Sequence, residues 1–176
     1  MRTLLILRHA KSSWATPGMD DFDRTLNDRG NDDACRMAGW IGEQGVELGE
    51  IICSPAVRTR TTAQHIKTTL DIDPKLSFPE ELYLASSDTL RDSIAKISQT
   101  TTTAMVIGHN PGLHDIALRL LKEKERSQAG LLRVAFPTTA CALINLPIVD
   151  WSEIAWNIGT LSSFMVPKSL NNTQDS

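Results

Sequence analysis

Apolar and polar positions along the chain switch between two periods, and the switches mark its elements. Leu4, Leu5, Ile6 and Leu7 form an unbroken apolar run, the pattern of a strand buried on both faces. The short run Glu50–Cys53 and residues 104–107 repeat that pattern. Between these runs, apolar residues recur at helical spacing. Ala34, Met37, Ala38 and Ile41 follow a start near Asn27, with Gly45 as a stop. Ala63, Ile66 and Leu70 follow Ser54 as a cap and Pro55 in the first turn, where no amide donor is missed. Leu90, Ile94 and Ile97 mark a third helix, capped by Ser86 or Ser87. Leu113, Ile116, Ala117, Leu120 and Leu121 form the clearest stripe, after Asn110 as cap and Pro111 as start.

Residues 74–79 read as a connector that leads to Glu80 and Glu81. In the final third, residues 140–146 and 153–158 read as strands, paired across a turn at 147–151. Strands alternating with helices predict an α/β domain around a mostly parallel sheet, the closing pair adding one strand of opposite direction.

Length and composition narrow this further. A chain of 176 residues fits one domain, expected over residues 1–168, with a polar tail over 169–176 expected to be disordered. Lys and Arg number 18 and Asp and Glu 21, so the net charge is 18 − 21 = −3. That balance argues against a nucleic-acid partner, and an anionic ligand would need a local basic pocket. Cys35, Cys53 and Cys141 form no CxxC pair, so neither a zinc site nor a disulfide framework is expected. The apolar run at 4–7 is too short for a signal segment, and no stretch is long enough to cross a bilayer. The expected location is the cytoplasm, away from the membrane. The sequence carries no signal for oligomeric state.

Candidate chemistry gathers at three equivalent places, the turns that leave a strand. These are Arg8-His9, Ser54-Pro55 with Arg58, and Gly108-His109-Asn110-Pro111. The carboxyl ends of parallel strands share one edge, so Arg8, His9, Arg58 and His109 can converge across some hundred residues of sequence. Two of the turns lead into helices, whose starts favour anions. Two guanidinium groups then point to a phosphoryl group, because their forked donors match its oxygens. An imidazole among such cations is disfavoured as a cation itself, and stays neutral enough to attack phosphorus. Lys11 and Ser12 follow His9 closely enough to touch a substrate. The bland alternatives are ordinary strand-to-helix turns and a solvated Arg58. His65 and His114 read as surface residues, and Trp14, Trp40, Trp151 and Trp156 as packing residues.

Residues 4–14, Leu-Leu-Ile-Leu-Arg-His-Ala-Lys-Ser-Ser-Trp, resemble the signature of the histidine phosphatase superfamily. They specifically resemble its small SixA-type phosphohistidine phosphatases. Asp23-Arg24-Thr25-Leu26 followed by Gly30, then Ser54-Pro55 with Arg58, then Gly108-His109-Asn110-Pro111, match in order and spacing. The family motif reads Arg-Pro-Leu where this chain has Arg24-Thr25-Leu26. Arg24 is therefore either a phosphate ligand or a partner of Asp21 or Asp23. The resemblance implies a three-layer α/β/α sandwich of the phosphoglycerate mutase type and a transient phosphohistidine on His9. It also implies that Arg8, Arg58 and His109 hold the phosphoryl oxygens, with no metal and no cofactor. Glu81 lies where relatives that cleave alcohol phosphates carry a general acid, with Glu80 beside it. The expected substrate is a phosphohistidine-bearing protein, with a small phosphate ester as the alternative. A catalytically silent phosphate-binding domain is the reading from a different class.

Overall fold

The computed structural model describes residues 1–14 and 17–170. Its frame is a six-stranded sheet with strand order β3-β2-β4-β1-β5-β6. In chain order the elements are β1 (Arg2–Arg8), α1 (Asp28–Glu43), β2 (Glu50–Cys53), α2 (Val57–Leu70), β3 (Lys75–Ser77) and α3 (Ser87–Ile94). Next come β4 (Thr103–Gly108), α4 (Gly112–Leu120), α5 (Glu123–Gln128), α6 (Gly130–Val134), β5 (Cys141–Leu146), β6 (Thr160–Met165) and α7 (Pro167–Leu170). The β1–β4, β2–β4 and β2–β3 pairs are parallel, and β5 runs antiparallel to both β1 and β6. The fold is the expected three-layer, mostly parallel α/β/α sandwich.

Alternation along β1 sorts the core into two layers. Leu4 and Ile6 pack with Leu90 and Ile94 of α3 and with Leu113, Ile116 and Leu120 of α4. Leu5 and Leu7 pack on the other side, with Met37, Ala38 and Ile41 of α1 and Ala63 and Ile66 of α2. All four β1 residues are fully buried, which is why the run lacks polar interruptions.

Several local expectations change. Residues 74–79 contain the edge strand β3, kept to three residues between two prolines, and its Lys75 reaches Glu50 at 3.0 Å. The segment 153–158 is not a strand. Asp150 and Glu153 form a reciprocal cap that winds Trp151–Glu153 into a 3-10 turn, and the last strand starts at Thr160. Neither Ser54 nor Asn110 caps a helix. The helices begin at Val57 and Gly112, and both polar side chains serve the site instead. Within the expected tail, Ser169 and Leu170 complete α7, and residues 171–176 lie outside the described residues.

The register of the sheet brings the three strand-end turns to one level. Arg8 on β1 pairs with Gly108 on β4, so His9 and His109 leave adjacent strands side by side. Cys53 on β2 pairs with Ile107, which sets Ser54 beside Gly108. The start of α1 is pressed against the segment after β1: Asn27 N–H donates to the Lys11 carbonyl at 3.0 Å, and a Cβ on Gly30 would overlap that same carbonyl oxygen. Gly30→Ala should therefore cost about 1–3 kcal/mol of stability. Urea unfolding checks this, and a change within error of zero would mean that α1 is free to shift away.

Candidate active site

His9 is 8% exposed at the end of β1. Its Nδ1 lies 2.8 Å from the Ala10 carbonyl oxygen. Only a protonated ring nitrogen bonds a carbonyl, so Nδ1 carries the hydrogen and the neutral ring keeps its lone pair on Nε2. The backbone around it is clamped. His9 N–H donates to Gly108, Thr139 N–H donates to the carbonyls of Arg8 and His9, and Ala10 N–H donates to Thr62 Oγ1 at 3.0 Å. Thr139 makes this clamp with φ 64°, a left-handed conformation that a β-branched residue rarely adopts.

The His109 ring lies 5.2 Å from the His9 ring. Arg58 Nη2 stands 3.2 Å from His109 Nδ1, and Ser54 Oγ stands 2.7 Å from Nε2. A guanidinium only donates, so Nδ1 accepts, and Nε2 carries the hydrogen and donates to Ser54. Burial, then the charges of Arg58 and Arg8, lower His9 to about 4 against the support of its bond to Ala10. Burial and Arg58 lower His109 to about 3. Both rings are neutral at pH 7 in the free protein.

Arg8 Nη1 donates to the Phe136 carbonyl at 2.9 Å, and Asn110 Nδ2 donates to the same oxygen. Arg58 binds Asp21 through its backbone carbonyl and, at 2.9 Å, through Oδ2. Arg24 Nη1 and the Tyr83 hydroxyl also donate to the Asp21 carboxylate, at 2.8 and 2.7 Å. Burial opposes ionisation of Asp21, but the bonds from Tyr83, Arg24 and Arg58 outweigh it and hold the carboxyl well below the usual range. Arg24 further donates to the Ser13 carbonyl and to Ser12 Oγ, and its guanidinium lies 3.4 Å from the centre of the Trp14 ring.

These groups surround a cavity of about 350 Å³. Of the residues assigned from sequence, Arg8, His9, Lys11, Ser12, Arg24, Arg58 and His109 line it together. Four basic side chains face one acid, Asp21, so a chain of net charge −3 carries a local basic pocket. Glu81 is not in the cavity lining. It is exposed on the 3-10 turn Glu80–Leu82, because that turn sends Leu82 into the core and Tyr83 to Asp21.

Sequence reasoning named Asp21 only as a candidate partner of Arg24, missed Tyr83 and Thr139, and took Trp14 for a packing residue although it is 77% exposed at the cavity mouth. An isolated Trp in a polar loop, with no apolar period around it, was the available signal. His65 is half-buried, within hydrogen-bonding reach of Asn31 and of Cys35. His114 bonds the Leu132 carbonyl at 2.6 Å and does not line the cavity. Among the described residues no group of three His, Cys, Asp or Glu side chains is placed to hold a metal ion.

Residues 4–80 match the model of the histidine phosphatase superfamily, branch 1. An uncharacterised protein of Mycobacterium leprae is 31% identical over 166 residues, which are 92% of this chain and all of that one. The chain belongs to the histidine phosphatase superfamily. Among solved structures, the Agrobacterium tumefaciens protein assigned as the phosphohistidine phosphatase SixA superposes with a TM-score of 0.80 at 28% identity, over 94% of this chain and 98% of that one. The Nakamurella counterpart superposes at 0.81 with 24% identity, over 94% and 96% of the two chains, a likeness of fold.

The lowered histidines have a consequence for titration. Unfolding returns both rings toward an ordinary value near ~6.5, so the unfolded chain binds more protons below that pH. Stability should be unaffected by these groups at pH 8 and fall as pH drops from about 6.5 toward 4. Ring signals of His9 and His109 in NMR should not titrate between pH 8 and 5, and Arg58→Ala should move both upward. Titration of His9 near pH 6.5 in the unmodified protein would show that the ring is not held neutral by its surroundings.

Proposed function

We propose that the protein is a phosphatase that removes the phosphoryl group from protein phosphohistidine through a phosphohistidine intermediate on His9. His9 Nε2 attacks phosphorus in line while the bond to the leaving group breaks on the opposite side. Arg8 and Arg58 donate to the non-bridging oxygens, where negative charge is held throughout transfer. Arrival of that anion beside His109 favours the charged ring, so Nδ1 can exchange its bond from Arg58 for a proton taken from water and donate it to a phosphoryl oxygen. Water then attacks phospho-His9, releasing inorganic phosphate and restoring the neutral ring.

The observation that carries the choice of substrate is the state of Asp21. It is the carboxyl in the cavity lining, and it is held ionised by three donors. It has no proton to give a leaving alkoxide. A phosphohistidine ring leaves as neutral imidazole once its other nitrogen has taken a proton from water, and with an ordinary imidazole pKa near ~6.5 it does so without a carboxylic acid. The Agrobacterium neighbour, assigned as a phosphohistidine phosphatase, supports the same reading. A small phosphate ester remains the second substrate class, because a cavity of about 350 Å³ admits it. We further propose a cytoplasmic location, with a phosphorylated protein as partner and neither nucleic acid nor membrane involved. No helix among the described residues is long and apolar enough to cross a membrane.

The deciding experiment exposes the protein briefly to a phosphohistidine peptide and analyses it for acid-labile, alkali-stable phosphate. Adduct on His9 is expected, with its loss and at least about a thousandfold fall in turnover in His9→Ala. Simple alkyl phosphates should turn over far more slowly than the peptide. Faster ester turnover would move the assignment to a small-molecule phosphatase. Phosphate binding with neither adduct nor turnover would make the protein a silent binding domain.

A further inference from the structure

In-line transfer sets a direction that the cavity makes specific. The attacking nitrogen and the leaving atom sit on opposite sides of phosphorus. His9, Arg58 and His109 are buried at the floor, so the leaving group must point outward to the mouth. Two large apolar side chains stand at that mouth, Trp14 from the segment after β1 and Leu84 from the link before α3. They are 77% and 55% exposed.

Solitary exposed apolar residues are common and need no function. Neither of these is free in the ordinary sense. The Arg24 guanidinium covers one face of the Trp14 ring at 3.4 Å, and Arg24 is itself fixed by bonds to Ser12, Ser13 and Asp21. The indole is thus held against Arg24 while staying 77% exposed. Leu84 is held at φ 51°, a left-handed backbone that a leucine side chain disfavours, just after Tyr83 is drawn to Asp21. A residue kept exposed and strained at the edge of a cavity gains nothing from packing.

We infer that Trp14, with Leu84 beside it, is the contact that receives the leaving group as a flat, uncharged ring, and so sets a preference for ring-bearing phosphoryl donors such as phosphohistidine. With a cation already against the indole, a second cation is disfavoured there, whereas a neutral heteroaromatic ring stacks well. The cavity volume of about 350 Å³ accommodates a phosphoryl group and one such ring. This rests on the proposed phosphatase reaction but is separable from the identity of the natural substrate.

The test measures kcat/KM of the unmodified protein, Trp14→Ala, Trp14→Phe and Leu84→Gly. The substrates are a phosphohistidine peptide, phenyl phosphate and phosphoramidate, the last having the P–N bond but no ring. For Trp14→Ala, the preference for each ring substrate over phosphoramidate should fall about tenfold, equivalent to about 1.4 kcal/mol. Trp14→Phe should restore most of the preference. Leu84→Gly should lower it while keeping or raising Tm, since glycine accepts that backbone without strain. An equal fall on all three substrates would make Trp14 only a brace for Arg24 and overturn the inference, as would an unchanged preference. If the unmodified protein turns over phenyl phosphate but not the peptide, the phosphohistidine assignment fails, and the ratio of phenyl phosphate to phosphoramidate still decides the role of Trp14.

Discussion

A neutral imidazole kept among guanidinium groups is the condition on which the rest of this molecule depends. Left to solvent, a histidine near neutral pH is partly protonated and then has no lone pair to offer. Here burial and the charges of Arg8 and Arg58 push His9 down to about 4, while the bond from Nδ1 to the Ala10 carbonyl fixes which nitrogen stays bare. In the proposed reaction, the same cations that keep His9 unprotonated receive the phosphoryl oxygens. One arrangement would thus activate the nucleophile and stabilise the transferring group. Neither effect could be weakened without weakening the other.

Such a cluster repels itself, and Asp21 is the part that makes it tolerable. Its carboxylate takes bonds from Arg24, Arg58 and Tyr83 and so ties two cations and a separate segment together across the cavity. Asp21 is half-exposed, so its value as an ion pair is limited by solvent screening. Its geometric value is greater, because Arg58, only 3% exposed, is aimed by this contact. The cost is chemical: a carboxyl clamped in its ionised form is useless as an acid, and the proposed reaction is one that does without.

The fold was largely legible because its strands are buried on both faces and its helices on one, and burial leaves a period in the sequence. Ala34, Met37, Ala38 and Ile41 on α1, and Leu113, Ile116 and Leu120 on α4, stand where the spacing put them. The final third was less legible because a reciprocal cap between Asp150 and Glu153 overrides the strand pattern, a local hydrogen-bond choice that apolar spacing does not encode. At the site, Arg8, His9, Arg58 and His109 were legible because each follows or nearly follows a strand end. Asp21 was legible only as a local partner of Arg24; its bond to Arg58, and the contacts of Tyr83 and Thr139, span 37, 62 and roughly 130 residues and leave no local pattern. Glu81 stands apart from the cavity lining for a local reason: the 3-10 turn Glu80–Leu82 buries Leu82 and leaves Glu81 exposed.

The site therefore divides by origin. Its floor comes from strand ends in fixed register, where Arg8 pairs with Gly108 and Cys53 with Ile107, so the catalytic spacing is as rigid as the sheet. Its rim comes from connecting segments, and the two left-handed non-glycine residues at the site, Thr139 and Leu84, lie at the seams where such segments meet the floor. Strain of this kind persists only where surrounding contacts enforce it. For Thr139 the enforcing contacts are its bonds to the carbonyls of Arg8 and His9. For Leu84 the neighbouring bond from Tyr83 to Asp21 does the same. The second leads back to the cation cluster through Asp21, so the geometry of the mouth at Leu84 is tied to the electrostatics of the floor. In the proposed reaction, substrate choice and phosphoryl chemistry are then coupled: a change that loosened Asp21 would alter the aim of Arg58 and the position of Leu84 together.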